Sequence, residues 1–346
     1  MSERQNQTID LYGQLMQVNA SSHLLRTARQ VGVIDELREG QRTLDELCQA
    51  RFLNREATGL LLDALTVIGV VERYGEDYAI SQAARLLNQY DNDLGDEFWQ
   101  QLPDLLTGKR SRDKADRRAM ENRDTATQWT QTAAAMQAAE ILDLGGKEKE
   151  KEKDYDQEKE AEKRGDLEGD GGGAFRILDL GCGAAVWSCA AAHRHGGSTV
   201  LGVDHEEVRL AATNTADSIG LGERFEFEAG DLLSLDLPDD AFDLCFIGRR
   251  LHYLGDGDAA SVLRSAAAAV RPGGRVVVID LFRVPSRKNL TETVEALRLE
   301  LGTAEGSMRT LQQGQQMMTD AGLDNVQFTF IAASREGLGM CVGEVV

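Results

Sequence analysis

Apolar positions along this chain follow two different periods, and the change between them divides it. Residues 8–50 carry apolar side chains at helical spacing and predict three short helices. Thr43-Leu44-Asp45-Glu46 has the form of a capping box, in which the threonine hydroxyl caps a helix start and the glutamate reaches back. Asn54 is a capping residue for a stronger helix, with Leu60, Leu61, Ala64, Leu65 and Ile68 assigned to one face and Gly69 ending it. Two extended runs, Val70–Tyr74 and Tyr78–Ser81, flank Gly75-Glu76-Asp77 as a small hairpin. Helices followed by a hairpin have a winged-helix order, and more helices follow to about Leu144.

From Phe175 onward strand and helix patterns alternate. Strands are predicted at Arg176–Leu180, Thr199–Asp204, Arg224–Ala229, Phe242–Ile247, Arg275–Phe282, Asn325–Ile331 and Gly339–Val345. Helices are predicted at Ala184–His193, Glu207–Ile219, Asp258–Val270 and Thr310–Ala321. Apolar strands alternating with helices imply a mostly parallel sheet covered on both faces, an α/β doubly wound, Rossmann-like domain. The last two strands are too close in sequence for a helical crossover, so the final one should run antiparallel.

Three segments follow: a helical winged-helix-like domain at 1–144, a charged insertion at 145–174 and the α/β domain at 175–346. From Lys147 to Asp170, 18 of 24 residues are Lys, Arg, Asp or Glu, a composition that cannot bury enough apolar surface to offset its ordering entropy. The segment is expected to be a dispensable solvated insertion. Charge then narrows the function. A formal net charge of −20 disfavours nucleic acid and anionic lipid as partners, and residues 1–90 hold 9 Lys/Arg against 12 Asp/Glu. No apolar stretch is long enough to span a membrane, and the polar start does not read as a signal peptide. Five scattered cysteines, with no C-x-x-C pair, argue against a disulfide framework or a metal site and fit a reducing cytoplasm.

The strongest motif is Ile177-Leu178-Asp179-Leu180-Gly181-Cys182-Gly183-Ala184-Ala185, a buried strand running into a glycine turn at a helix start. A nicotinamide fingerprint would need a glycine where Val186 stands. Asp204, 21 residues after Gly183, ends the second strand, where an acid can accept from both hydroxyls of a ribose. Gly230-Asp231 ends the third, where a carboxylate can hold an adenine amine, and Arg271-Pro272-Gly273-Gly274 reads as a tight turn into the fifth strand.

Taken in order, D-x-G-x-G, Asp204, Gly230-Asp231 and Pro-Gly-Gly resemble the class I S-adenosylmethionine-dependent methyltransferases. The N-terminal segments Val31–Leu37, Thr43–Leu47 and Leu65–Val71 are similar to the dimerisation domain of small-molecule O-methyltransferases of the caffeate and hydroxyindole type. The resemblance covers nearly the whole chain except the charged insertion. It implies S-adenosyl-L-methionine as cofactor, with Asp179, Gly181, Gly183, Asp204 and Asp231 at its site, no metal, and a homodimer. The family's third loop glycine is Ala185 here, which should narrow the space beside the methionine moiety.

Methyl transfer from a sulfonium is mainly a matter of alignment, and holding the groups in line can supply ~7–11 kcal/mol of the barrier. A phenol also gains from losing its proton to a nearby base. The resemblance implies His252, in Arg249-Arg250-Leu251-His252-Tyr253, as that base, with Asp280 orienting it 28 residues later. The family's second supporting acid falls where Met308 stands. His193, His195 and His205 read as ordinary surface residues, and Trp187 as core.

The expected activity is methyl transfer to a hydroxyl of a small-molecule acceptor. A variant would methylate nitrogen or carbon, or run another reaction with the same cofactor. A winged-helix regulator would need a basic face on the helix after Asn54, which that helix lacks. A catalytically inactive nucleoside-binding protein is the remaining class.

Overall fold

The computed structural model describes residues 3–90, 95–143, 175–284 and 289–346. The charged run at 147–170, and the dispensability expected of it, lie outside the described residues. The chain forms two compact units, Met1–Gln100 and Gln101–Val346. Among the described residues no helix is long and apolar enough to cross a membrane.

The first unit contains α1 (Glu3–Gln30), α2 (Val33–Glu39), α3 (Leu44–Arg51), α4 (Arg55–Val67), α5 (Gln82–Tyr90) and α6 (Asp96–Trp99). Its small antiparallel sheet has the order β1 (Arg42–Thr43), β3 (Asp77–Ile80), β2 (Val71–Tyr74). Three helices precede residue 52 as expected, but the first is a long one of 28 residues. Both predicted caps form. Thr43 Oγ1 accepts from Glu46 N at 3.2 Å while Glu46 Oε2 accepts from Thr43 N at 2.7 Å, and Asn54 Oδ1 accepts from Ala57 N at 3.0 Å.

The face assigned to α4 needs correction. Thr58, Leu62 and Leu65 are its buried residues, whereas Leu60 is 66% exposed and Ile68 is also exposed. Several apolar stripes run along this helix at spacings of three and four, and packing against Val33, Leu37 and Leu47 selects one of them.

The second unit is built on seven strands: β4 (Phe175–Leu180), β5 (Ser198–Asp204), β6 (Phe225–Ala229), β7 (Phe242–Gly248), β8 (Val270–Asp280), β9 (Leu323–Phe330) and β10 (Gly339–Val345). Their order is β6-β5-β4-β7-β8-β10-β9, parallel from β6 to β8, with β10 antiparallel to both its neighbours. The final strand therefore reverses as the short connection required. Central strand β7 is buried at all seven positions, as expected of a run that is apolar apart from Asp243 when both faces are covered. Helices α10 (Val186–Arg194), α11 (Arg209–Ser218) and α12 (Asp256–Ala269) each connect two parallel strands, and α13 (Leu290–Gly302) and α14 (Leu311–Asp320) lie between β8 and β9. Arg271–Gly274 does not stand before the strand as a separate turn. It forms a break in register inside β8, where Phe242 pairs with Val270 and Leu244 with Arg275.

The boundary between the compact units falls at residue 100, short of the residue 144 read from sequence. Helices α7 (Leu102–Leu106), α8 (Arg117–Thr127) and α9 (Thr132–Ile141), assigned from sequence to the N-terminal domain, belong to the second unit. Ala134, Ala135, Ala138 and Ala139 are at most 2% exposed, and their small side chains let α9 lie close against α10. Arg275 closes the junction by donating from Nη1 to Leu142 O at 3.0 Å.

Candidate active site

Four strand ends and one turn converge at the C-terminal edge of the large sheet, the edge where open α/β sheets bind ligands. After β4 the chain reverses through Gly181 at φ 72° and Gly183 at φ 56°, a left-handed conformation that glycine adopts without steric cost. The turn is locked to β5 by Gly181 N and Cys182 N, which donate to Val203 O at 2.8 and 3.2 Å. Gly183 N donates to Asp204 Oδ2 at 2.9 Å, and Ala184 N donates to Gln128 Oε1 at 2.7 Å. Ala185 holds φ 55° despite its side chain, and it is wholly buried at the head of α10.

Asp204 ends β5 and is 4% exposed. Its Oδ1 accepts from His205 N at 2.8 Å, and its Oδ2 also accepts from Arg250 Nη2 at 2.6 Å. Gly230 N, past the end of β6, donates to Asp204 O at 3.0 Å, which brings exposed Asp231 to the same cleft. Asp179 behaves differently. It is wholly buried and accepts from the Ser188 hydroxyl, and like Gly181 and Gly183 it is not in the lining of the cleft that holds Asp204 and Asp231. Burial, opposed by Ser188 and reinforced by the nearby Asp204 charge, pushes its carboxyl up to about 7. Its place is beneath the glycine turn.

His252 follows β7 in a single 3-10 turn, Leu251–Tyr253, and is 3% exposed. Nδ1 lies 2.7 Å from Asp280 Oδ1, at ion-pair distance although not aligned as a hydrogen bond. Asp280, the last residue of β8, accepts from His252 N at 3.3 Å and from Leu281 N at 2.8 Å. Burial alone would raise its carboxyl, yet the imidazole and the Arg249 guanidinium hold it below the ordinary range. His252 Nε2 is buried without a hydrogen-bond partner among the described residues. Arg309 pins the turn, donating to Leu251 O at 2.6 Å and Leu254 O at 2.9 Å.

Met308, which stands where the family's second acid would fall, is buried. Another carboxylate serves the neighbourhood. Asp124 of α8 lies 3.0 Å from Arg249 Nη2, and although burial pushes it upward, Arg249 and His252 bring it down to about 2. Sequence reasoning missed Asp124, Gln128 and Arg250. It also misassigned His205, which is buried in the cleft, 3.6 Å from Asp204 and 3.9 Å from Glu121. The one available signal was its place directly after a strand-end acid. Trp187 is core as read, covering Gly248. Among the described residues no group of His, Cys, Asp and Glu converges to hold a metal ion.

Residues 177–274, which span the glycine turn, Asp204, Asp231 and His252, match the methyltransferase domain family. The second unit contains a methyltransferase domain. The chain is 31% identical to 27-O-demethylrifamycin SV methyltransferase of Amycolatopsis mediterranei, over 43% of this chain and 54% of that protein. It is 26% identical to mitomycin biosynthesis 6-O-methyltransferase of Streptomyces lavendulae, over 74% of this chain and 72% of that one. The chain spans about half the length of the first curated relatives it matches. In fold it is similar to human N-acetylserotonin methyltransferase, solved in complex with S-adenosylmethionine, with a TM-score of 0.68 at 18% identity over 99% of both chains. Within that domain Asp204, His205, Asp231 and Arg250 line one cleft at the strand ends, and His252 and Asp280 line a separate small cavity beside it.

Proposed function

We propose that this chain is a cytoplasmic, homodimeric S-adenosylmethionine-dependent methyltransferase that methylates a hydroxyl oxygen of a small molecule. The observation that carries this reading is the juxtaposition of a nucleoside-type cleft with a buried His–Asp pair on the same sheet edge. The donor set fits the cofactor: a bare glycine turn for the methionine part, Asp204 for the ribose hydroxyls and Asp231 for the adenine amine. When bound, the cofactor supplies an electrophilic methyl group.

The chain's own residues do the rest. His252 Nε2, which has no other hydrogen-bond partner among the described residues, takes the proton of the acceptor hydroxyl. Asp280 faces Nδ1, so the tautomer with its proton on Nδ1 and a free lone pair on Nε2 is favoured. Arg309 keeps the turn from swinging away. Support for a hydroxyl acceptor comes from the rifamycin and mitomycin relatives, whose names record O-methylation or demethylated substrates. Support for a homodimer comes from α1, where Ile9, Leu11, Tyr12, Leu15, Met16 and Val18 are each more than half exposed. The five cysteines, all unpaired, suit a cytoplasmic location.

The test is single-turnover methyl transfer across pH, using labelled cofactor and a phenolic acceptor found by screening phenols, hydroxyquinones and amines. His252→Ala should slow the chemical step by ~10²–10⁴-fold with little change in S-adenosylhomocysteine affinity, and Asp280→Asn should lose less. High pH should partly rescue His252→Ala on an acidic phenol, because the acceptor then ionises unaided. Superimposable wild-type and His252→Ala profiles would end the base assignment.

A further inference from the structure

Arg250 is a side chain of the cleft whose contacts duplicate those a nucleoside cofactor would make. It is 5% exposed and extends from the His252 segment across the end of β4 to the end of β5. Its stem lies so close over Gly181 that a Cβ there would come within 2.3 Å of Arg250 Cγ. Its Nε donates to Gly181 O at 2.8 Å, and its Nη2 donates to Asp204 Oδ2 at 2.6 Å. The guanidinium thus takes up the bare glycine face and the strand-end acid together.

A permanently structural buried arginine has its donors matched, since an unmatched buried donor is costly. Here Nη1 is buried without a hydrogen-bond partner, 3.9 Å from Glu121 Oε1. Glu121 is therefore already placed to receive the guanidinium if it leaves Asp204. Charge points the same way, because S-adenosylmethionine brings a sulfonium cation into a cleft already lined by Arg117, Arg118 and Arg250.

We propose that Arg250 is an internal competitor for the cofactor, occupying Asp204 and the glycine face until the ribose displaces it toward Glu121. The proposal rests on the cofactor reading above. It makes Arg250 a determinant of affinity: every binding event must break the Arg250–Asp204 pair, and the cationic cofactor must do so against like charge.

Calorimetry on the full chain tests it, with wild type, Arg250→Ala and Arg250→Gln each titrated with S-adenosylhomocysteine and S-adenosylmethionine. The two variants guard against loss of folding, because glutamine keeps a hydrogen-bond donor beside Asp204; melting curves without ligand confirm that the tested variant is folded. Both variants are expected to bind S-adenosylhomocysteine about tenfold more tightly than wild type, with a larger gain for the cationic S-adenosylmethionine. Unchanged or weaker binding, with wild type still binding, would overturn the competitor role and leave the cofactor reading standing. Binding of neither ligand by any of the three proteins would remove the cofactor reading and the proposal with it.

Discussion

Replacing Asp179 by asparagine should change how stability depends on pH. The carboxyl is wholly buried, with one oxygen on the Ser188 hydroxyl and the other without a partner, and its pKa is raised from 3.8 to about 7. Below pH ~4 it is protonated in both folded and unfolded chains and adds no pH dependence. Between about pH 4 and 7 the folded protein retains a proton that the unfolded chain has released, so stability falls as pH rises. Above pH ~7 both states are ionised and the loss is complete, at about 4 kcal/mol. Asparagine cannot ionise, and any penalty from its extra buried amide is the same at every pH. Urea unfolding of wild type and Asp179→Asn at pH 5 and pH 8 isolates the residue, since every other titrating group appears in both curves. The stability difference should move in favour of the variant by about 2–3 kcal/mol between those two pH values. A difference constant to within about 0.5 kcal/mol would refute the reasoning and mean that Asp179 is ionised beneath the glycine turn throughout.

Gly181→Ala should destabilise the protein by about 2–4 kcal/mol, combining a left-handed alanine with a methyl group driven into the Arg250 stem. In an Arg250→Ala background the cost should shrink by about 1 kcal/mol or more, and strictly additive melting-derived stabilities would show that the two side chains do not meet. Light scattering should give a dimer at micromolar concentration for wild type and a shift toward monomer for Leu15→Glu, a residue 62% exposed on α1. A monomeric wild type would refute the proposed assembly.

Much of the fold was legible because it depends on short-range pattern. Apolar runs such as Leu244–Gly248, glycines at the end of β4 and acids at strand ends are local statements, and a parallel sheet follows from strand and helix alternation. The reversal of β10 followed from a connection too short for a helix, and the Thr43 and Asn54 caps from side chains bonding backbone three residues on. Gly181, Gly183, Asp204 and Asp231 could be picked out for the same reason, each standing at a strand end or turn that its own neighbours define, whereas His252 and Asp280 were named by the family resemblance.

Tertiary structure decided the rest, through contacts between residues far apart in sequence. Which stripe of α4 is buried depended on α2 and α3 meeting Leu62 and Leu65 and leaving Leu60 outside. The allegiance of α9 to the sheet depended on α10 accepting its alanine face. In the site, Gln128 reaches Ala184 across 56 positions, Arg249 reaches Asp124 across 125 and Arg250 reaches Asp204 across 46. An arginine written beside a histidine looks the same in sequence whether its charge faces water or fills a cleft. Its partner is chosen only when folding excludes water from both and leaves the opposite charge as the available source of compensation.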